Sequence, residues 1–263
     1  MMPQSKKLPA LVLAAFGASS PKAREVYGHV EACVRKAYPA HEIAWAYLSL
    51  HIVNKQRKLG VTLPTLAEAL ASLKASGFNQ AVVQPLLVVP GEEFALVNSS
   101  SCDGVTLEIG APLLTSEADI AASLAAIAPQ VRQHIPHVLV CHGNKRHSEY
   151  NRPVLQLKKM AESAFDNLIV ASVEGEPGTE PLTRAKEMAA VHGSVVFIPF
   201  MIAAGEHITR DVMGDEPESW KCMVGAGQSR CLEPLGKNAS ILAIFLSHIE
   251  AAMQRLRKAR QDD

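Results

Sequence analysis

Apolar runs of strand type recur along this chain, each followed by a polar turn and then by a segment with helical spacing. Residues 10–16 form the first run, uncharged throughout, and lead into Gly17-Ala18-Ser19-Ser20-Pro21. Ser20 with Pro21 marks a helix start, a capping hydroxyl followed by a first-turn proline. That helix is expected to reach about Ala37, with Val26, Val30, Cys33 and Val34 on one face. Residues 42–48 predict a second strand, 51–58 a short basic helix, and 64–75 an amphipathic helix closed by Gly77. A third strand is expected over 80–89, stopping at Pro90-Gly91-Glu92-Glu93, a fourth over 105–109, and a helix over 116–128.

The pattern then restarts. Residues 137–141 read as a strand ending in His142-Gly143, followed by a helix over about 149–164. A strand over 168–173 ends at Glu174, a helix covers 181–191, and the strand 194–202 runs into Ala203-Ala204-Gly205-Glu206-His207. Residues 231–234 suggest a short strand, and 239–257 a long helix with Ile241, Ile244, Phe245, His248, Ile249 and Met253 on one side. Apolar strands alternating with helices predict an α/β fold with parallel sheets covered on both faces.

The two halves agree in sequence as well as in order. Val82, Pro85, Gly91 and Glu92 stand 114 residues before Val196, Pro199, Gly205 and Glu206, and in that frame Glu93 occupies the place of His207. With an offset of 126, Phe16-Gly17 corresponds to His142-Gly143, and Leu48 to Glu174. TLEIGAPLL from Thr106 echoes CLEPLGKN from Cys231. Four matches in sequential order predict a duplicated unit. The expected lobes are residues 1–130 and 131–263, both Rossmann-like, with the helix 239–257 placed so that it could pack across them.

Composition narrows the function. Of 263 residues, 48% are apolar, and 26 Lys and Arg balance 26 Asp and Glu. A large core is therefore available, and bulk charge gives no basis for nucleic-acid binding. Five cysteines, an odd number without a CxxC pair, point to buried thiols in a reducing, cytoplasmic setting. Lys6-Lys7, residues 8–16 and then Ala18-Ser19-Ser20 have the order of a secretory signal, but an apolar part of nine residues with a proline in it is better used as the first strand. No run approaches the ~20 apolar residues of a membrane span. No nucleotide-binding glycine motif follows the first strand.

What differs between the halves carries the chemistry. At three strand ends the second half has His142, Glu174 and His207 where the first has Phe16, Leu48 and Glu93. Carboxyl ends of parallel strands share one edge of the sheet, so these three are expected to converge in one crevice. Two imidazoles and a carboxylate suit a divalent first-row metal with open coordination positions. Taken singly, each has a blander use, as a hydrogen-bonded loop histidine or a solvated glutamate. Lys145 and Arg146, with His147, form a basic rim beside His142, either a solvated surface or a seat for ligand carboxylates.

QPLLVVPGEEF, VCHGN, ASVEG, IPFMIAAGEHITRDV and ESWK, together, make the chain similar to the anaerobic sirohydrochlorin cobalt chelatases of the CbiK type, relatives of ferrochelatase. The resemblance extends over nearly the whole chain. It implies two similar α/β lobes with the active site in a cleft between them, and insertion of Co(II) into sirohydrochlorin or precorrin-2 without ATP. It also implies that His142, Glu174 and His207 bind the metal and catalyse insertion, and it gives Lys145 and Arg146 substrate carboxylates to meet. No cofactor beyond the substrate metal is implied. Histidine and carboxylate accept Fe(II) as well as Co(II), so iron insertion towards sirohaem stays open. A tetrapyrrole or metal carrier without turnover is a further alternative, and a metal-dependent hydrolase ranks last because bridging carboxylates are missing. No interface patch identifies an oligomer, and a homo-oligomer remains compatible with the sequence.

Overall fold

The structure, a computed structural model, describes residues 7–259. The first sheet has strands β1 (Ala10–Ala15), β2 (Ile43–Tyr47), β3 (Gln80–Leu86) and β4 (Thr106–Ile109), in the order β2-β1-β3-β4. The second has β5 (His137–Cys141), β6 (Leu168–Ser172), β7 (Ser194–Pro199) and β8 (Gln228–Cys231), in the order β6-β5-β7-β8. Every pairing in both sheets is parallel. The first apolar run is a central strand, with no residue from Ala10 to Ala14 exposed to solvent.

The duplication extends to hydrogen-bond register. Val12 lies opposite Val83, and Val138 opposite Phe197, so the central ladders coincide under the offsets of 126 and 114 residues. Two of the expected equivalences shift. The amide of Leu48 donates to the carbonyl of Ala15, and that of Val173 to Cys141; next along, Ser49 donates to Phe16 and Glu174 to His142. Glu174 therefore corresponds to Ser49 and not to Leu48. The fourth strand of the second sheet is Gln228–Cys231 and not 231–234, with Cys231 opposite Phe197 as Ile109 is opposite Val83. The echo of Thr106 with Cys231 was three residues out of phase. Strands buried on both faces lack the alternation that pins register in half-exposed ones, so pattern alone leaves such slips undetected.

Helices α1 (Pro21–Ala37), α2 (Leu50–Lys58) and α3 (Leu66–Ala75) start at side-chain caps, Ser20, Ser49 and Thr65. Thr65 and Glu68 make a reciprocal capping box, a device worth about 1 kcal/mol. The Pro90–Glu93 stop is more than a turn: Gly91 begins a further helix, α4 (Glu92–Asn98). The remaining helices are α5 (Glu117–Ile127), α6 (Arg152–Ala164), α7 (Leu182–His192), α8 (Trp220–Val224) and α9 (Ala239–Ala259). Val12, Ala46, Leu70 and Val83 anchor one core cluster, and Val138, Val140, Ile169, Phe197 and Trp220 another. Gln84, polar amid an apolar strand, is fully buried and donates its amide to the carbonyls of Pro85 and Ala111.

The chain forms two compact units that do not divide near residue 130. One comprises residues up to Pro112 together with Phe245 onwards, the other Leu113–Ile244. α5 packs on α6, and Asn238 donates to the carbonyl of Ala126, so α5 belongs with the second sheet. The later turns of α9 serve the first sheet: Arg255 bonds Glu108 and the carbonyl of Ile109, and His248 reaches the carbonyl of Ala111. A boundary drawn from repeat length alone misses this, because packing partners are not written in the local pattern.

Candidate metal site

In the second sheet β5 connects to β6 on one side and β7 lies on the other. Connections diverge at that point of reversal, which is where open parallel α/β sheets place their ligands. His142 immediately follows β5, and His207 ends the loop that follows β7. Their rings meet edge to face, with centroids 4.9 Å apart and planes at 85°.

Each ring has its Nδ1 engaged. His142 Nδ1 lies 2.8 Å from the carbonyl oxygen of Gly143, and His207 Nδ1 lies 2.6 Å from Oδ2 of Asp211. A carbonyl or carboxylate oxygen can only accept, so in the neutral rings both Nδ1 atoms carry the proton and both Nε2 atoms offer a lone pair. Metal-binding histidines are held in this way. With bonds of about 2.0–2.1 Å to one ion, each ring centre stands roughly 3.2 Å from the metal, and two centres at a tetrahedral angle are about 5 Å apart. The observed spacing fits that figure.

The loop holding His142 is fixed by backbone geometry that excludes side chains. Gly143 has φ +74°, and a Cβ there would stand 1.6 Å from the carbonyl oxygen of Glu174. The absence of a side chain lets the Glu174 amide reach the carbonyl of His142 at 2.7 Å. Asn151, buried and at the start of α6, accepts from the Asn144 amide at 2.7 Å and donates to its carbonyl at 2.8 Å. Asn144 Oδ1 in turn accepts from the amides of Arg146 and His147. On the neighbouring strand, buried Ser172 accepts from Gly178, closing the turn that contains Glu174 and the cis Glu176–Pro177 peptide.

His207 opens a π-helical turn, His207–Val212. Ile208 and Val212 point into the core cluster beside Trp220 and Val224, while the side chains of His207 and Asp211 remain 37% and 39% exposed. The turn closes through Gly214, whose amide reaches the carbonyl of Arg210 and where a Cβ would stand 2.2 Å from that oxygen. Such wide turns are rare and concentrate at functional positions.

Of the three residues expected together, the structure brings the side chains of two, His142 and His207, side by side. Glu174 is joined to the pair through its main chain, and among the described residues no three His, Cys, Asp or Glu side chains cluster closely enough to share an ion. Lys145 and Arg146, three and four residues after His142, are exposed. His147 lies over Tyr150 with Glu149 nearby. Cys141, next to His142, is buried, which pushes its thiol up to about 12. Asp211, Asn144 and Asn151 were not singled out by pattern, although Asn144 lies inside the VCHGN run and Asp211 is four residues after His207. At the equivalent edge of the first sheet Phe16, Leu50 and Leu96 are exposed apolar residues.

Comparison with known proteins places the chain in a family. The family model described as cobalt chelatase (CbiK) matches residues 9–254. A sirohydrochlorin cobaltochelatase of Salmonella typhimurium is 28% identical, the match covering 93% of this chain and 96% of that protein. The sirohydrochlorin cobaltochelatase CbiKC of Nitratidesulfovibrio vulgaris is 25% identical, over 97% and 93%. Among solved structures, SirB from Bacillus subtilis with Fe3+ superposes with a TM-score of 0.62 at 15% identity, covering 93% of this chain and 95% of that one. CbiX, described as the terminal enzyme for biosynthesis of siroheme in denitrifying bacteria, gives 0.57 at 17%, over 92% and 99%. The latter two likenesses show the fold. With a family model covering all eight strands, this chain belongs to the cobalt chelatase (CbiK) family.

Proposed function

We propose that this protein inserts Co(II) into sirohydrochlorin without ATP, as a sirohydrochlorin cobaltochelatase. The observation that carries the reading is the pair His142 and His207 at the reversal point of the second sheet, rings 4.9 Å apart with each Nδ1 engaged. The two Nε2 atoms hold the entering Co(II) while leaving most of its coordination sphere open to the ring nitrogens. Glu174 is the third proposed ligand, its carboxylate moving to the ion from a main chain already tied to His142.

Insertion exchanges two pyrrole protons for one dication. As the ring nitrogens bind Co(II), an imidazole displaced from the metal has a free lone pair with which to take a proton. The remaining proton leaves through the second histidine or Glu174 to solvent. Lys145 and Arg146, both exposed, meet peripheral carboxylates of the tetrapyrrole. Among the described residues no helix is long and apolar enough to cross a membrane. Five unpaired thiols fit a cytoplasmic enzyme.

The test is an insertion assay on sirohydrochlorin with Co(II) and Fe(II) in parallel, using wild type and the His142→Ala, Glu174→Gln and His207→Ala variants. Multiple turnovers with Co(II), lost in the histidine variants, are expected. Absorbance change stopping at about one equivalent would make the protein a carrier, and preferential turnover with Fe(II) would make it an iron chelatase.

A further inference from the structure

We infer that Asp211 is a positioning residue for His207: it fixes the ring as the Nδ1–H tautomer and aims Nε2 at the position shared with His142. The inference rests on the reading of His207 as a Co(II) ligand and adds a residue to it.

Three observations converge. The Nδ1 to Oδ2 distance of 2.6 Å is at the short end for a bond to a charged acceptor. The π-helical turn presents His207 and Asp211 side by side while Ile208 and Val212 anchor its other face in the core. Gly214 closes that turn against the carbonyl of Arg210, with no room for a side chain. The segment is therefore held from inside and from its end, and its outward pair is set by the backbone.

The two imidazoles differ in their supports. His142 leans on the main-chain carbonyl of Gly143, its own neighbour, which no substitution at that residue removes. His207 depends on one side chain. Without it the Nδ1–H and Nε2–H tautomers compete, and in the second of these the nitrogen that should meet the metal carries a proton. A carboxylate acceptor also makes the imidazole a better donor to a metal, and loss of such a partner elsewhere costs 10–100-fold in metal affinity.

The experiment compares Asp211→Ala, Asp211→Asn and His207→Ala with wild type, reading Co(II) binding to the protein alone and the nitrogen-15 chemical shifts of the His207 ring in the metal-free protein. Asp211→Ala is expected to weaken Co(II) binding 10–100-fold and to move the His207 ring from the Nδ1–H form to a mixture. Asp211→Asn, whose amide oxygen still accepts from Nδ1, should retain the tautomer and most of the affinity. Unchanged shifts and affinity in Asp211→Ala overturn the inference. So does equal loss in Asp211→Ala and Asp211→Asn with the tautomer retained, which would make the role one of charge alone. Wild-type Co(II) affinity in His207→Ala would instead sink the underlying reading of His207 as a Co(II) ligand, while the ring shifts of wild type and the Asp211 variants would still report whether Asp211 orients His207.

Discussion

Glu174 donates its backbone N–H to the carbonyl oxygen of His142 at 2.7 Å, so two residues separated by a whole strand–helix unit share one hydrogen bond at the sheet edge. Gly143 allows that approach. In Gly143→Ala the new methyl would lie 1.6 Å from the Glu174 oxygen and φ +74° would be strained for alanine. We expect insertion activity to fall at least tenfold and stability by about 1–3 kcal/mol. Thermal unfolding and insertion rates measured on the same preparation check both, and wild-type behaviour in each would show that the two turns can separate freely.

The paired rings predict coupled effects. If His142 and His207 hold one ion, either alanine substitution alone should remove most high-affinity Co(II) binding, and the double variant should lose little more. Titration of the four proteins forms a double-mutant cycle. Additive losses would mean that the two imidazoles act on different ions or at different steps. The melting temperature should shift little, because the His207 side chain is 37% exposed and neither ring is part of a core cluster.

Asn151 should matter for stability as much as for activity. It is 1% exposed and satisfies both the amide and the carbonyl of Asn144. Asn151→Ala leaves two main-chain groups without those partners, a loss of about 1–3 kcal/mol for each group that stays buried. Chemical denaturation should register a lower midpoint with an unchanged slope, and Co(II) affinity should fall as the His142 loop loosens. An unaltered midpoint would assign that loop's order to other contacts.

His137 gives a pH dependence of definite sign. The ring is buried at the start of β5, with Nδ1 bonded to the carbonyl of Ile135 and Nε2 accepting from the amide of Arg132. Burial, the largest influence, holds its pKa below the ordinary 6.5. The folded state thus binds this proton less readily than the unfolded chain. The associated stability is complete above about pH 6.5 and is lost as pH falls from there through the lower folded value. Melting temperatures between pH 7.5 and 5 should decline, and His137→Gln should flatten that decline; identical slopes would place the dependence on other groups.

Much of the architecture is legible in the residues. PLLVVPGEEF against PFMIAAGEHI, and FG against HG, give the duplication and single out His142 and His207 as what the first half lacks. The shared order and central register of the two sheets follow from that likeness. Glu174 was paired one residue out of step, because β2 and β6 carry no alternating pattern to fix the frame. α4 is only seven residues long and starts within Pro-Gly-Glu-Glu, which reads as a turn. Asp211 is hidden for a different reason: an acidic residue four places from a histidine on a polar face looks like an ordinary solvated pair, and only the π-helical turn reveals its contact with Nδ1.

The division of the helices has a consequence for biosynthesis. The unit containing His142 and His207 uses only residues 113–244, whereas the unit that begins with β1 also needs Phe245 and the turns of α9 that follow. On the ribosome the residues of the histidine-bearing unit are therefore all in hand before those of the unit that holds β1–β4, which is whole only once α9 has been translated. Loss of the final turns of α9, by a premature stop or by proteolysis, would leave the histidine-bearing unit with all its parts and take Arg255 from Glu108 in the other.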